Sequence, residues 1–496
     1  MSQLKKGAIL SYITIILTNS LGLIITPFII HKLGNAEYGL YTLMGSLIAY
    51  ISILDFGLNN TIVRFLAKYR AEQDKVKEEN FLAITFIIYF FISLIVIILG
   101  FFLYFNLNQI FDKLTVSELI KAKIMFIILV FNLAISLPGG AFSAISSAYE
   151  HFVFPRSLNI VKYLVRSLLV VVILIFGSNA IGIVILDTVM NLVVILINAI
   201  YVLKKLKVKI KLHHFNFIYI KEIFTYSFWI FIFAIVAQFQ WQAGQLILGM
   251  ISGTKLVAIY GVGIMLGTYY GAFSTAISSV FLPRATKMVV QNSSAEELTS
   301  LMIRIGRLSL IVLFLILGGF LLFGKQFIRL WVGNEYLDSW LIAVIVMISY
   351  TIPLVQSFAN SILEAKSKFH FKALVYISLI TLGTFIGAYL VRFLGVFGII
   401  IGSSSGWVLS QIIMNFYYQK VIKLQIGRFF MELLNKIFFT FILILISGYF
   451  VNYLPGSGWS NLIFKIIIFT TLFSFGMFSF GMTVDERDIF KKIIKF

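Results

Sequence analysis

The sequence predicts an all-α polytopic membrane protein with about fourteen transmembrane helices, on three observations. First, 60% of its 496 residues are hydrophobic and only 12% are charged, with a mean hydropathy of +1.00. A soluble chain of this length would need two or three domains with polar surfaces, and there is too little polar sequence to cover them. Second, the apolar residues form continuous runs of about 20, the length of a membrane-crossing helix. The alternating strands of a membrane barrel would not produce such runs. Third, the basic residues that give a formal charge of +20 fall mostly in every second gap between the runs, as cytoplasmic loops require.

The runs follow in order. The first, 8–30, comes after Lys5 and Lys6. It is longer than a signal-peptide core and has no A-x-A cleavage site, so it reads as a retained helix. The second and third, 38–60 and 81–105, flank a charged stretch from Arg64 to Glu79. The fourth, 121–143, follows Asp112 and Lys113 and contains Pro138. The fifth and sixth, 158–176 and 181–203, are parted only by Gly177 to Ala180. The seventh and eighth, 223–250 and 256–282, follow a lysine-rich stretch. Lys325 and Arg329 lie between 305–324 and 339–360, and Arg392 lies between 373–391 and 396–419. Pro455 and Gly456 lie between the last two, 433–453 and 461–481. An even count puts both termini on one side. With that side cytoplasmic, and each charge within a run assigned to its nearer end, about 31 of the 40 Lys and Arg lie inside and about 9 outside, which explains most of the net charge and removes the need for a nucleic-acid partner. The densest group, Lys204, Lys205, Lys207, Lys209 and Lys211 with Lys221, could also touch anionic membrane lipid, although a positive-inside loop accounts for it.

Several chemistries are excluded. Without cysteine there is no disulfide, thiolate metal site or thiol nucleophile. His31, His151, His213, His214 and His370 are scattered and no carboxylates cluster with them, so no metal site is expected. No Walker motif occurs, and the G-x-G at Gly261 to Gly263 lies in an apolar run and reads as helix packing. The loops are too short for a soluble catalytic domain, so the chain is not expected to be an enzyme or to need a cofactor.

An internal repeat shows in recurring landmarks. Tyr38-Gly39 and Tyr260-Gly261 lie 222 residues apart, and Pro138 and Pro353 lie 215 apart. Arg156 and Lys372, Gly182-Ile183 and Gly398-Ile399, and Lys204 and Lys420 are all spaced by 216, and Arg64 and Arg284 by 220. Together they predict two pseudo-symmetric six-helix bundles, 1–210 and 211–428, followed by two extra helices and a cytoplasmic tail over 429–496. Parallel repeats of this kind are typical of alternating-access transporters.

Polar residues inside apolar runs are candidates for function, because a charge at mid-bilayer costs roughly 3 kcal/mol or more. Asp55 and Asp187 are the acidic residues expected inside spans, and they are the candidates for coupling to an ion. Lys162 and Arg166, spaced i and i+4, share one helical face. With Arg64 and Arg284 at matching repeat positions, they could line a cationic cavity, the alternative being anchors that snorkel to the interface. Gln238, Gln242 and Gln245 follow helical spacing as one polar stripe, with Gln240 and Trp241 beside them. They could contact sugar, or serve as helix–helix glue. Pro27, Pro138 and Pro353 are expected to kink helices.

The stretch Ile25 to Lys68 reads ITPFIIHKLGNAEYGLYTLMGSLIAYISILDFGLNNTIVRFLAK. Its order, P-x4-KLG-x3-YGLY, then DFGL, then Arg and Lys, resembles the N-terminal signature of Wzx-type polysaccharide-transport flippases of the multidrug/oligosaccharidyl-lipid/polysaccharide exporter superfamily. LILGMISGTKLVAIYGVGIML, FLPRATK and LWVGNEYLDSW resemble later blocks of that family. Relatives often carry an acidic residue just before the LILG-like segment, where this chain has glutamines. The departure puts cation coupling through that position in doubt.

The resemblance implies fourteen helices in two bundles around a central cavity, in a bacterial plasma membrane. It implies transbilayer movement of a polyprenyl-diphosphate-linked oligosaccharide for surface polysaccharide such as O-antigen, capsule or exopolysaccharide, with a polysaccharide polymerase as a possible partner. A cation-coupled multidrug antiporter of the same superfamily is the alternative. An exporter of cations wants acidic cavity residues, so the sign of the cavity charge separates the two.

Overall fold

The computed structural model describes residues 3–215, 217–279, 287–291, 293–366 and 368–488. Among them fourteen helical stretches are long and apolar enough to cross a membrane. In chain order they are α1 (Leu10–Leu33), α2 (Asn35–Ala71), α3 (Lys75–Ile110), α4 (Val116–Ala148), α5 (Val153–Ile175), α6 (Ala180–Lys205) and α7 (Ile223–Trp241). There follow α8 (Thr254–Ser274), α9 (Ala295–Trp331), α10 (Asn334–Val355), α11 (His370–Leu394), α12 (Val396–Lys420), α13 (Ile426–Val451) and α14 (Gly458–Gly481). Each corresponds to one of the apolar runs.

The separation of α5 from α6 is settled by local chemistry. Gly177 takes φ +83 after the last turn of α5. Asn179 then caps α6, its Oδ1 accepting from the N–H groups of Ile181 at 3.1 Å and Gly182 at 3.3 Å. Four residues are enough for this turn because Gly177 adopts the left-handed backbone and Asn179 satisfies two of the first orphan donors.

Three details depart from the sequence reading. The helices begin earlier than the apolar runs, so Glu37 and Glu118 lie inside α2 and α4, and Asp55 and Asp187 are not the only acids on the spanning helices. The run 223–250 is not one helix. It breaks at Gln242, and a short helix, Ala243–Ile251, follows α7. The third concerns Pro353, where the helix breaks rather than bends, while Pro27 and Pro138 lie inside continuous helices. After Pro353 the helix stops at Val355, and a second short helix, Ser357–Ala365, begins beyond Gln356.

Three of the repeat landmarks occupy similar places in their helices. Gly182 and Gly398 are each the third residue of α6 and α12, Lys204 is the last residue but one of α6, and Lys420 closes α12. Pro138 and Pro353 lie late in α4 and α10.

The chain divides into two compact units, Met1–Ala258 and Ile259–Phe496. In the first, α4 packs against α2, α3 and α6, and α1 packs against α5. In the second, α11 and α12 form the tightest pair, because glycines at i, i+4 spacing meet. A Cβ on Gly402 would collide with the Cα of Gly387, and one on Gly383 with the carbonyl of Gly402. Small residues let backbones approach in lipid, where helix association relies on close packing. The hairpin of α13 and α14 lies against α9.

The second unit carries a buried ion pair that the sequence reading did not single out. Arg307, on α9, is 5% exposed, and Glu486, beyond α14, is 3% exposed. Arg307 donates to Glu486 from Nε at 2.6 Å and from Nη2 at 3.1 Å, and to the carbonyls of Glu432, Asn435 and Gly481. One guanidinium therefore ties the start of α13 and the end of α14 to α9. Burial raises the Glu486 pKa, but the bonds from Arg307 and the N–H of Thr483 outweigh it and hold the carboxyl below its ordinary range.

Candidate functional site

Deep in the first unit, α2, α4, α5 and α6 bring polar side chains together. Arg166 lies nine residues before the end of α5, and Asp187 seven residues after the start of α6. At 1.5 Å per residue these positions are about 14 Å and about 10 Å from the shared end of the two helices, well within the hydrocarbon thickness. The guanidinium engages the carboxylate with two donors. Nε bonds Oδ1 at short range, and Nη2 bonds Oδ2 at 2.8 Å. Tyr41, on α2, closes the group. Its hydroxyl donates to Asp187 Oδ2 and accepts from Arg166 Nη2, both at 3.4 Å. About a quarter of each side chain of the ion pair stays accessible, 24% for Arg166 and 25% for Asp187.

One turn along α5, Lys162 donates to Asn191 Oδ1 at 3.3 Å. Asn191 in turn donates to Asn132 Oδ1 at 2.8 Å and Ser136 Oγ at 2.5 Å, both on α4. The i, i+4 pair Lys162/Arg166 on α5 thus faces the i, i+4 pair Asn191/Asp187 on α6, which is why the two helices present one polar ladder. The charges along the ladder do not balance. It holds two cations and one carboxylate, and among the described residues no carboxylate pairs with Lys162. A partly accessible ammonium held by a neutral amide in the membrane interior can bind an anionic group, while the Arg166–Asp187 pair adds further donors and acceptors.

Asp55 belongs to a different feature. It ends a short 3-10 turn, Ser52–Asp55, that interrupts α2. Phe56 at φ 51 and Gly57 at φ 69 turn the chain through the left-handed region, and α2 resumes at Leu58. A Cβ at Gly57 would also strike Ile230 of α7. The Asp55 carboxylate accepts from Tyr89 Oη at 3.2 Å and from the N–H of Gly57. It therefore sits at the positive end of the second half of α2, which favours a carboxylate. Phe56 pays for its strained backbone by stacking on Phe231, centroids 4.6 Å apart. The DFG of the sequence signature is thus a helix break built into a span.

The other sequence candidates are placed apart from the ladder. Arg64 lies exposed on the second half of α2, which continues past it to Ala71. Gln238 and Trp241 are half-buried on α7, Gln242 occupies the break, and Gln245 lies on the short helix beyond it. The stripe is therefore interrupted, and the Gln238 carbonyl accepts from Tyr50 Oη at 3.3 Å. Arg284 falls outside the described residues. The sequence reading missed Tyr41, Asn132, Ser136 and Asn191. Asn191 was within reach, because its spacing from Asp187 repeats that of Lys162 and Arg166. Among the described residues no group of three or more His, Asp or Glu could hold a metal ion.

The family described as polysaccharide biosynthesis protein matches residues 4–289, more than half of the chain. No curated protein sequence matches. Among solved structures, the chain is similar to lipid II flippase MurJ in an inward closed conformation, at 15% identity and a TM-score of 0.70, over 95% of this chain and 97% of that one. It is similar to an inward-facing multidrug resistance MATE family transporter of the MOP superfamily, at 13% identity and 0.61, over 84% and 94%. It is also similar to the eukaryotic MATE transporter AtDTX14, at 14% identity and 0.58, over 87% and 98%. At these identities the likeness is one of fold. With fourteen apolar helices, the chain is a multi-pass membrane protein with the fold of membrane transporters.

Proposed function

This chain belongs to the polysaccharide biosynthesis protein family, and on that premise we propose that it is a flippase for a polyprenyl-diphosphate-linked oligosaccharide. In this reading the substrate moves from the cytoplasmic to the outer leaflet of a bacterial plasma membrane, with both termini cytoplasmic. The repeat supports alternating access between bundles 1–210 and 211–428, with the two last helices as an addition. The product would feed surface polysaccharide synthesis and a polymerase.

The observation that carries the proposal is the net positive ladder of Lys162, Arg166, Asp187 and Asn191. A diphosphate cannot cross hydrocarbon unaided, because its charges would lose water with nothing to replace it. Cationic and amide donors in the membrane interior replace that hydration, while the isoprenoid tail needs no shelter from lipid. The bidentate reach of Arg166 and the point charge of Lys162 suit phosphate oxygens, and the amides suit sugar hydroxyls. The sign of the ladder disfavours the alternative of a cation-coupled multidrug antiporter, despite the shared fold. Arg64, Arg284 and the glutamines Gln238, Gln242 and Gln245 with Trp241 would extend the path. For ion coupling, Asp55 fits better than Asp187, whose charge Arg166 already balances.

Binding of a labelled polyprenyl-diphosphate oligosaccharide by the purified protein tests this reading. We expect Lys162→Gln to weaken binding roughly tenfold or more, the loss typical of a charge-assisted contact, and Lys162→Arg to retain it. Unchanged binding by Lys162→Gln, or tighter binding of a cationic dye than of the lipid, would overturn it.

A further inference from the structure

The segment joining α6 to α7 has a chemistry of its own. Between residues 204 and 211 it carries Lys204, Lys205, Lys207, Lys209 and Lys211, all exposed. The sequence has no acidic residue from Asp187 to Glu222. Among the described residues none of these lysines pairs with a carboxylate, and Lys205 lies over the Tyr201 ring at 5.3 Å. Large apolar side chains are exposed among them: Leu203 by 47%, Ile210 by 36%, Leu212 by 46% and Phe215 by 52%.

The backbone of this segment is held in place. It turns at Lys207, φ 54, and the buried Val208 anchors it, donating its N–H to the Val202 carbonyl at 3.2 Å. Beyond the turn it runs without helix to residue 215, so that Lys207, Lys209 and Lys211 alternate with Val208, Ile210 and Leu212. Its far end is fastened to the start of α3. Asn80, 3% exposed, accepts the N–H groups of His213 and His214, each at 2.9 Å. His213 Nε2 lies 2.8 Å from Glu79 Oε2. The segment is therefore a fixed strap. It starts in the last turn of α6, which ends at Lys205, the level at which a spanning helix leaves the hydrocarbon for the headgroups.

We propose that this strap is a docking surface for anionic phospholipid headgroups. Lysines bind headgroup phosphates as point charges that demand no fixed geometry, and their stems with the interleaved Leu203, Ile210, Leu212 and Phe215 enter the interface beneath. Exposed apolar residues distinguish the strap from a loop that is merely basic, for which water would be the better neighbour. Each lysine near an anionic surface strengthens binding about fivefold. The strap would bias the connection between the two repeats toward an anionic leaflet, and this does not depend on which substrate the protein carries.

The absence of native cysteine makes a site-specific probe possible. Ile210→Cys, labelled with a polarity-sensitive fluorophore, would be placed in nanodiscs of neutral lipid alone and of neutral lipid with phosphatidylglycerol. We expect a blue shift with the anionic lipid that is lost at about 1 M salt, where screening acts within about 3 Å. Adding Lys207→Gln, Lys209→Gln and Lys211→Gln should weaken the strap's attachment to the anionic headgroups and abolish the shift. A second label at Leu212→Cys guards against a local fault of the first. Equal emission in both lipids at both positions, or a shift that survives the three substitutions, would overturn the proposal.

Discussion

Arg166→Ala is expected to abolish transport of a lipid-linked oligosaccharide and to destabilise the protein at the same time. The substitution removes the donors facing Asp187 and leaves a carboxylate unpaired inside the membrane. Breaking one side of such a pair typically costs roughly 3–5 kcal/mol. The two effects separate in a double variant. Arg166→Gln with Asp187→Asn removes both charges and leaves two amides that can hydrogen-bond, so thermal stability in detergent should recover in large part. Transport should not recover if, as proposed, the Arg166 guanidinium binds the substrate diphosphate. Recovery of both would mean that Arg166 and Asp187 only hold α5 to α6. The measurements are thermal unfolding of the purified protein and flipping by the same preparation.

Arg307→Ala is expected to give the largest loss of stability without touching the ladder. It would leave Glu486 buried and charged, and the carbonyls of Glu432, Asn435 and Gly481 without their donor. A loss of roughly 3–5 kcal/mol follows, which would loosen the hairpin of α13 and α14 against α9. The same pair sets a pH dependence. The folded-state pKa of Glu486 lies below its ordinary value, so its contribution is fully present above the unfolded pKa of about 4.3. That contribution is lost as pH falls through the folded value. Wild-type stability should therefore decline on acidification below that point, and Glu486→Gln should flatten the decline. An unfolding temperature that falls equally in both would place the acid-sensitive group elsewhere.

The architecture was legible because membrane spans announce themselves. Continuous apolar runs and the basic gaps between them located the fourteen helices, and the gap hardest to read was the short one at Gly177 to Ala180, where the left-handed Gly177 and the Asn179 cap make the turn. What the runs could not show is where a helix breaks without leaving the membrane. The turn at Ser52 to Gly57 sits in apolar sequence, and its cause is a left-handed pair braced by Phe231 and Tyr89, which come from other helices. Gln242 is a similar case. The ladder was half legible. Lys162 and Arg166 declare themselves as charges on one face of α5, but their partners Tyr41 and Asn191 are ordinary residues until α2, α5 and α6 are packed. Asp187 stood out as an intramembrane acid suited to ion coupling, and only tertiary contact reveals that Arg166 balances it. Arg307 was hidden for a related reason, since its partner lies 179 residues away in the chain.

Flipping by the purified protein in liposomes, using a labelled polyprenyl-diphosphate oligosaccharide with and without a proton or sodium gradient, tests the central claim most directly. The expected result is movement above that in empty liposomes, lost in Arg166→Gln/Asp187→Asn and reduced in Lys162→Gln. No movement of the lipid, together with export of a cationic dye by the same liposomes, would contradict it.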